Sequence, residues 1–188
     1  MTASTNEIRS GMKVEVDKEP YLIIANEFVK PGKGQAFNRI KMKNMISERV
    51  VERTYKSGEK LDLADIEEQQ MRFVYYDGDN AVFMDEQTFD QVSIGPDIIN
   101  PIKQWLMEET IYQVTFYKGT VIEVLPPTFL EMTVTETSPG VRGDTSGRVL
   151  KPALTETGAK VQVPIFIEEG TKIKVDTRTG EYASRVNE

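Results

Sequence analysis

The sequence predicts an all-β protein built as three small barrels in series. Apolar and polar side chains alternate at a spacing of two through most apolar stretches. Turn formers such as Pro-Gly-Lys-Gly, Asp-Gly-Asp-Asn and Thr-Arg-Thr-Gly separate those stretches, and only one short segment, near 100–106, has helical spacing. The 188 residues are 39% hydrophobic and 28% charged, which suits a folded chain with room for one large domain or two to three small ones.

The first barrel is expected over residues 1–63. Within 7–17, apolar and charged residues alternate after Gly11 (Met12-Lys13-Val14-Glu15-Val16-Asp17), the pattern of a half-buried strand. A turn at Lys18-Glu19-Pro20 leads into a strand from Tyr21 to Ile24. Tyr21 to Ile24 with Phe28 and Val29 on one side, and Phe37, Ile40 and Met42 on the other, read as two strands flanking Lys30-Pro31-Gly32-Lys33-Gly34-Gln35-Ala36. Pro31 fixes its own φ, and Gly32 and Gly34 permit left-handed dihedrals on either side of Lys33. A sharp reversal with Lys33 at its apex is expected. Arg49 to Tyr55 adds a strand, and Ser57-Gly58-Glu59-Lys60 closes a strongly bent barrel that ends near Leu63.

The second barrel is expected over 64–127. Met71 to Tyr76 and Ala81 to Met84 form a hairpin around Asp77-Gly78-Asp79-Asn80. Asn100 is placed to cap a helix, Pro101 to occupy its first position, and Ile102, Trp105 and Leu106 to share one face, with Trp105 in a core. Ile111 to Tyr117 and Val121 to Leu125 flank the Lys118-Gly119 turn. A short helix among five strands fits a Greek-key barrel of the oligonucleotide-binding type. Pro126-Pro127 breaks strand pairing, and 128–188 forms the third barrel, with strands at Phe129 to Thr135, Val161 to Ile167, Lys172 to Val175 and Glu181 to Val186. Modules of about 60 residues bury little core alone, so neighbouring modules are expected to pack.

Composition removes several chemistries. There is no cysteine and no histidine, which excludes disulfide frameworks, thiol nucleophiles and Ser-His-Asp relays, and nearly all structural zinc sites. No metal site or cofactor is expected, and no carboxylate spacing suggests catalysis. No apolar run approaches the ~20 residues of a membrane span, and MTASTNEIRS has neither a basic nor an apolar leader region, so a cytoplasmic protein without membrane contact is expected.

Charge is segregated. The net −7 hides 12 basic against 8 acidic residues in 1–60 (+4), 3 against 13 in 61–130 (−10) and 8 against 9 in 131–188 (−1). From Phe28 to Ser47 there are five basic residues (Lys30, Lys33, Arg39, Lys41, Lys43) and no acidic one, which asks for an anionic partner. An isolated Pro-Gly-Lys-Gly would be an ordinary turn with a solvated lysine; the surrounding charge argues against that here. The carboxylates of 61–130 read as a solvated acidic face that keeps the middle module off RNA.

Three stretches together carry a family resemblance. Lys30-Pro31-Gly32-Lys33-Gly34-Gln35-Ala36-Phe37 resembles the modification loop of bacterial elongation factor P. Lys151-Pro152-Ala153, Gly158, Val161, Val163-Pro164, Ile167 and Gly170 resemble that family's C-terminal signature, and Ile173 to Tyr182 with Arg185 its ending. The resemblance covers the whole chain. It implies an SH3-like barrel followed by two oligonucleotide-binding barrels in an L that looks like tRNA, and a monomer that binds the ribosome and relieves stalling at consecutive prolines. It also implies that Lys33 is extended with a β-lysyl group by a ligase related to lysyl-tRNA synthetases. Lys30, Pro31, Gly32, Lys33, Gly34, Gln35, Arg39, Lys41 and Lys43 would then meet peptidyl-tRNA and rRNA. Gly143, Asp144 and Thr145 would approach the exit-site codon, and Tyr182 and Arg185 the small subunit or tRNA.

Read as residues alone, Gly143-Asp144-Thr145 favours an aspartate-capped loop, while Tyr182 is equally an aromatic strand position and Arg185 a solvated arginine. Three rivals remain. A general single-strand RNA-binding protein would show several exposed aromatics in a basic groove, and would bind free oligonucleotides in a salt-sensitive way. An enzyme with Lys33 as nucleophile would need a desolvated amine, which a glycine-flanked apex does not offer. A paralogue within the family would normally carry a different tip from Pro-Gly-Lys-Gly-Gln.

Overall fold

The computed structural model describes residues 1–139 and 149–187, and its strands form three sheets. The first contains β1 (Thr2–Ser4), β2 (Lys13–Val16), β3 (Glu19–Val29), β4 (Phe37–Asn44), β5 (Val50–Lys56) and β6 (Lys60–Leu63), in the order β1-β6-β2-β3-β4-β5. Alternation explains the burial: along β4, Asn38, Ile40, Met42 and Asn44 point inward while Arg39 and Lys41 face solvent. Ile8, Val14, Ile23, Ile40 and Met42 fill the interior, each contributing roughly 1.5–3 kcal/mol relative to exposure. An irregularity in the β3–β4 pairing between Ile23 and Ala25 bends this long hairpin.

The second sheet contains β7 (Ile66–Asp77), β8 (Asn80–Asp85), β9 (Gln91–Ile94), β10 (Ile111–Tyr117) and β11 (Thr120–Leu125), ordered β11-β10-β7-β8-β9. Phe73, Phe83 and Tyr112 stack edge-on or tilted inside it, with centroids 5.5 and 5.6 Å apart. The third contains β12 (Phe129–Thr137), β13 (Leu150–Thr155), β14 (Lys160–Pro164), β15 (Lys172–Asp176) and β16 (Glu181–Arg185), ordered β14-β13-β12-β15-β16. The all-β class is therefore as the alternation implies. Among the described residues, no helix is long and apolar enough to cross a membrane.

Several elements differ from expectation. The 7–17 strand is only four residues long, because Ile8 and Arg9 are taken up by turns: the Ile8 N–H donates to the Ser4 carbonyl and Met12 N–H to the Arg9 carbonyl. β14 stops at Pro164 rather than Ile167. The helix begins earlier than Asn100. Gly95 precedes α1 (Pro96–Ile99), Pro96 takes the first turn, and a 3₁₀ segment (Asn100–Trp105) follows directly. The Asn100 side chain caps nothing, since its own backbone is already helical and its N–H donates to the Pro96 carbonyl.

The backbone groups into two compact units, Met1–Glu68 with Thr115–Glu123, and Gln69–Val114 with Val124–Glu188. In the first, Glu15 accepts hydrogen bonds from the Tyr117 hydroxyl at 2.5 Å and the Lys118 ammonium at 2.8 Å, which fastens the β10–β11 turn onto β2. Those two donors, Lys118 foremost, hold the Glu15 carboxyl below its ordinary range. In the second, Trp105 is 6% exposed and packs with Leu130, Met132, Val161 and Ile173 of the third sheet. The Thr157 hydroxyl donates to the Gln104 carbonyl at 2.6 Å beside it. Trp105 is thus core, as expected, but core of the barrel formed by the following segment.

Candidate functional site

The β3–β4 hairpin positions the site. Its last register pair is Val29 with Phe37, leaving Lys30 to Ala36 as a seven-residue loop. Below it, the Asn26 amide donates to the carbonyls of Thr5 (2.7 Å) and Ile8 (3.0 Å), and Asn38 Nδ2 donates to Asn26 Oδ1 at 3.0 Å. These bonds tie both strands to the N-terminal segment, so the base of the loop is held while its end is free. On the loop itself, the Ala36 carbonyl accepts from the Ser57 N–H at 3.1 Å.

The reversal is wider than a tight turn. Gly34 alone adopts a left-handed dihedral (φ +117°); Gly32 does not, so the expectation of left-handed glycines on both sides of Lys33 holds on one side only. Pro31 supplies the rest, half-buried and within 3.7 Å of where a Gly34 side chain would begin. An alanine at Gly34 would strain the backbone, whereas at Gly32 it would meet open space.

Lys33 lies at the end of this loop, exposed, with no ion pair or hydrogen bond among the described residues. Lys30 and Lys41 are likewise exposed and unpaired among the described residues. The other two cations are not free. Arg39 lies 3.6 Å from both Glu27 and Glu52, and Lys43 lies 3.2 Å from Glu48. These pairs are solvent-exposed and weak, about 0–1 kcal/mol each, yet they lower the local charge that a phosphate would meet. The sequence window that looked free of acid stops one residue short of both Glu27 and Glu48, and Glu52 reaches Arg39 from β5.

The remaining expected residues lie elsewhere. Tyr182 sits on β16, half-buried against the third core, and burial raises its hydroxyl pKa. Arg185, on the same strand, is exposed. Gly143, Asp144 and Thr145 lie outside the described residues. Among the described residues no group of three acidic side chains could hold a metal ion.

Three family models match in sequence. Residues 4–61 match the elongation factor P KOW-like domain, 66–124 the elongation factor P OB domain, and 130–185 the elongation factor P C-terminal domain. The chain belongs to the elongation factor P family. It is 64% identical over 185 residues to elongation factor P 2 of Protochlamydia amoebophila, covering 98% of this chain and 97% of that one. Identity is 62% to elongation factor P 2 of Chlamydia caviae and 60% to that of Chlamydia trachomatis, with the same coverage. At such identity over nearly the whole length, the chain is a translation elongation factor like the other elongation factor P proteins, with its partner in the translation machinery.

Solved structures show the fold from a greater distance. Eukaryotic translation initiation factor 5A from Methanococcus jannaschii superimposes with a TM-score of 0.54 at 20% identity, covering 66% of this chain and 95% of that one. A translation initiation factor 5A family protein from Naegleria fowleri gives 0.53 at 14% identity, covering 66% and 97%.

Proposed function

We propose that the protein binds the ribosome beside peptidyl-tRNA and relieves stalling at consecutive prolines through Lys33, acting as a strut and performing no chemistry itself. The observation that carries this reading is the state of Lys33: an exposed amine on a firmly based loop, with no partner of its own among the described residues. A prolyl nitrogen and a nascent chain of prolines are conformationally restricted, and poor attack geometry costs several orders of magnitude in effective molarity. Holding the CCA end of peptidyl-tRNA still recovers part of that loss without any proton passing to the factor. An ammonium on a flexible stem suits sugar and phosphate contact, and Lys30 and Lys41 supply the unpaired charge that meets backbone phosphates.

In this reading Lys33 carries a β-lysyl extension added by a ligase related to lysyl-tRNA synthetases, and the protein works as a monomer in the cytoplasm. Gly143-Asp144-Thr145 faces the exit-site codon, and Tyr182 and Arg185 serve small-subunit or tRNA contact. The test replaces the cell's own copy with a Lys33→Ala variant and measures synthesis of a reporter containing consecutive prolines. The expected outcome is loss of rescue with an unchanged melting curve; full rescue would overturn the reading. Intact mass of the native protein, with fragment mapping around Lys33, identifies the added group and any hydroxylation.

A further inference from the structure

Beside the base of the Lys33 loop, the N-terminal barrel has a recess of about 530 Å³, lined among others by Arg9, Ser10, Asn26, Phe28 and Asn38. Its chemistry is unusual for this chain. No carboxylate lines it, although the protein carries a net charge of −7. Phe28 stands at it with 55% of its surface exposed, so a ring face is open to a ligand. Arg9 has no acidic partner among the described residues; one guanidinium nitrogen, Nη1, is fixed by the carbonyls of Asn6 (2.8 Å) and Ile8 (3.0 Å), which leaves its other donors for a ligand.

A buried amide network lies beside these exposed groups. Asn38 is 2% exposed, and its Oδ1 has no hydrogen-bond partner. The amide cannot be turned to cure this, because Nδ2 donates to Asn26 Oδ1 and, at 3.4 Å, to the Thr5 carbonyl; reversing it would set two carbonyl oxygens against each other.

We propose that this recess binds an unpaired nucleotide. The base stacks on Phe28, and the phosphate lies against the Arg9 guanidinium with the Ser10 hydroxyl in reach. An exposed aromatic face and a guanidinium with donors to spare, in one acid-free recess, together select an anion carrying a planar ring, which a nucleotide supplies and a plain phosphate or an aliphatic amine does not. This deepens the reading of the N-terminal barrel as an RNA-facing module, and it concerns a second contact, separate from the Lys33 amine.

The test is titration of ¹⁵N-labelled protein with AMP, CMP, GMP and UMP, with a single-stranded tetranucleotide RNA, and with inorganic phosphate. Nucleotide is expected to shift the amides of Arg9, Ser10, Phe28 and Asn38, the tetranucleotide to bind at least about tenfold tighter than any mononucleotide, and phosphate to shift them far less. Tighter binding of a mononucleotide than of the RNA would instead assign the recess to a free nucleotide and overturn the RNA assignment. Phe28→Ala and Arg9→Gln should each weaken binding about fivefold or more at unchanged melting temperature. Lys33→Ala should leave these shifts intact, so loss of proline rescue and loss of nucleotide binding are read separately. Absence of shifts at the recess, equal shifts with phosphate, or indifference to Phe28→Ala would overturn the proposal.

Discussion

Lys41 and Arg39 sit two positions apart on one exposed strand face, yet the fold gives them different charge environments. Lys30, and Lys41 although Glu52 stands opposite it in the β4–β5 register, make no ion pair among the described residues, whereas Glu27 and Glu52 pair with Arg39 and Glu48 with Lys43. A cation already near carboxylates gains less from a phosphate, because those carboxylates repel the same phosphate. Replacing Lys30 or Lys41 by alanine should therefore weaken ribosome binding more than replacing Arg39 or Lys43, by about 0.5–1 kcal/mol per residue, measured by sedimentation at fixed salt. The opposite ranking would show that the paired residues break their pairs to bind. This difference was not legible in the sequence, since it depends on which residues β3, β4 and β5 bring side by side. The cation at the end of the loop was legible, because Pro31 and Gly34 act through their own backbones. Asn38 was not: an asparagine at an inward position of a strand reads as an error of alternation until the amide network beneath the loop is seen.

At the scale of elements, alternation located most of the strands, but the six-residue β13 escaped it, as did several of the shortest. β1, β6 and β9 have three or four residues each, too few to show a period. The helix was misplaced because Asn100-Pro101 imitates a start signal inside a segment already begun at Pro96. That segment is held by Tyr112, whose hydroxyl donates to the Trp105 carbonyl at 2.6 Å and accepts from the Met107 N–H at 2.9 Å. Burial pushes its ionisation up to about 12 from an ordinary value of 10.0. A raised pKa on an acid that is neutral when buried gives stability fully present below pH 10 and lost as the pH climbs through the folded value. Urea midpoints should fall from about pH 10 to 12 by the equivalent of about 2–3 kcal/mol at most. Tyr112→Phe should cost about 1–3 kcal/mol at neutral pH, by leaving two buried backbone groups unpaired, and should flatten the alkaline decline. An unchanged alkaline slope in that variant would assign the loss to other groups.

Across the whole molecule, the charge segregation carries a prediction that no single residue does. The first 60 residues are net +4 and the next 70 net −10, so RNA should meet the protein through a small basic area. Few phosphates are then neutralised, and the logarithm of ribosome affinity should fall against the logarithm of salt with a slope of about −2 to −4. A slope near zero would mean that proteins, not RNA, provide the docking energy. The three-barrel class was readable because every module repeats the same alternation. The placement of Trp105 was not, because nothing in its neighbourhood says whose interior it completes. Its indole is lent forward, to a barrel whose own strands come later in the chain. The final segment is consequently unfinished as a separable piece. Cut free at the Pro126-Pro127 joint, it would open an apolar socket to water, and any excised version would have to keep the stretch from Pro96 to Met107 as its plug.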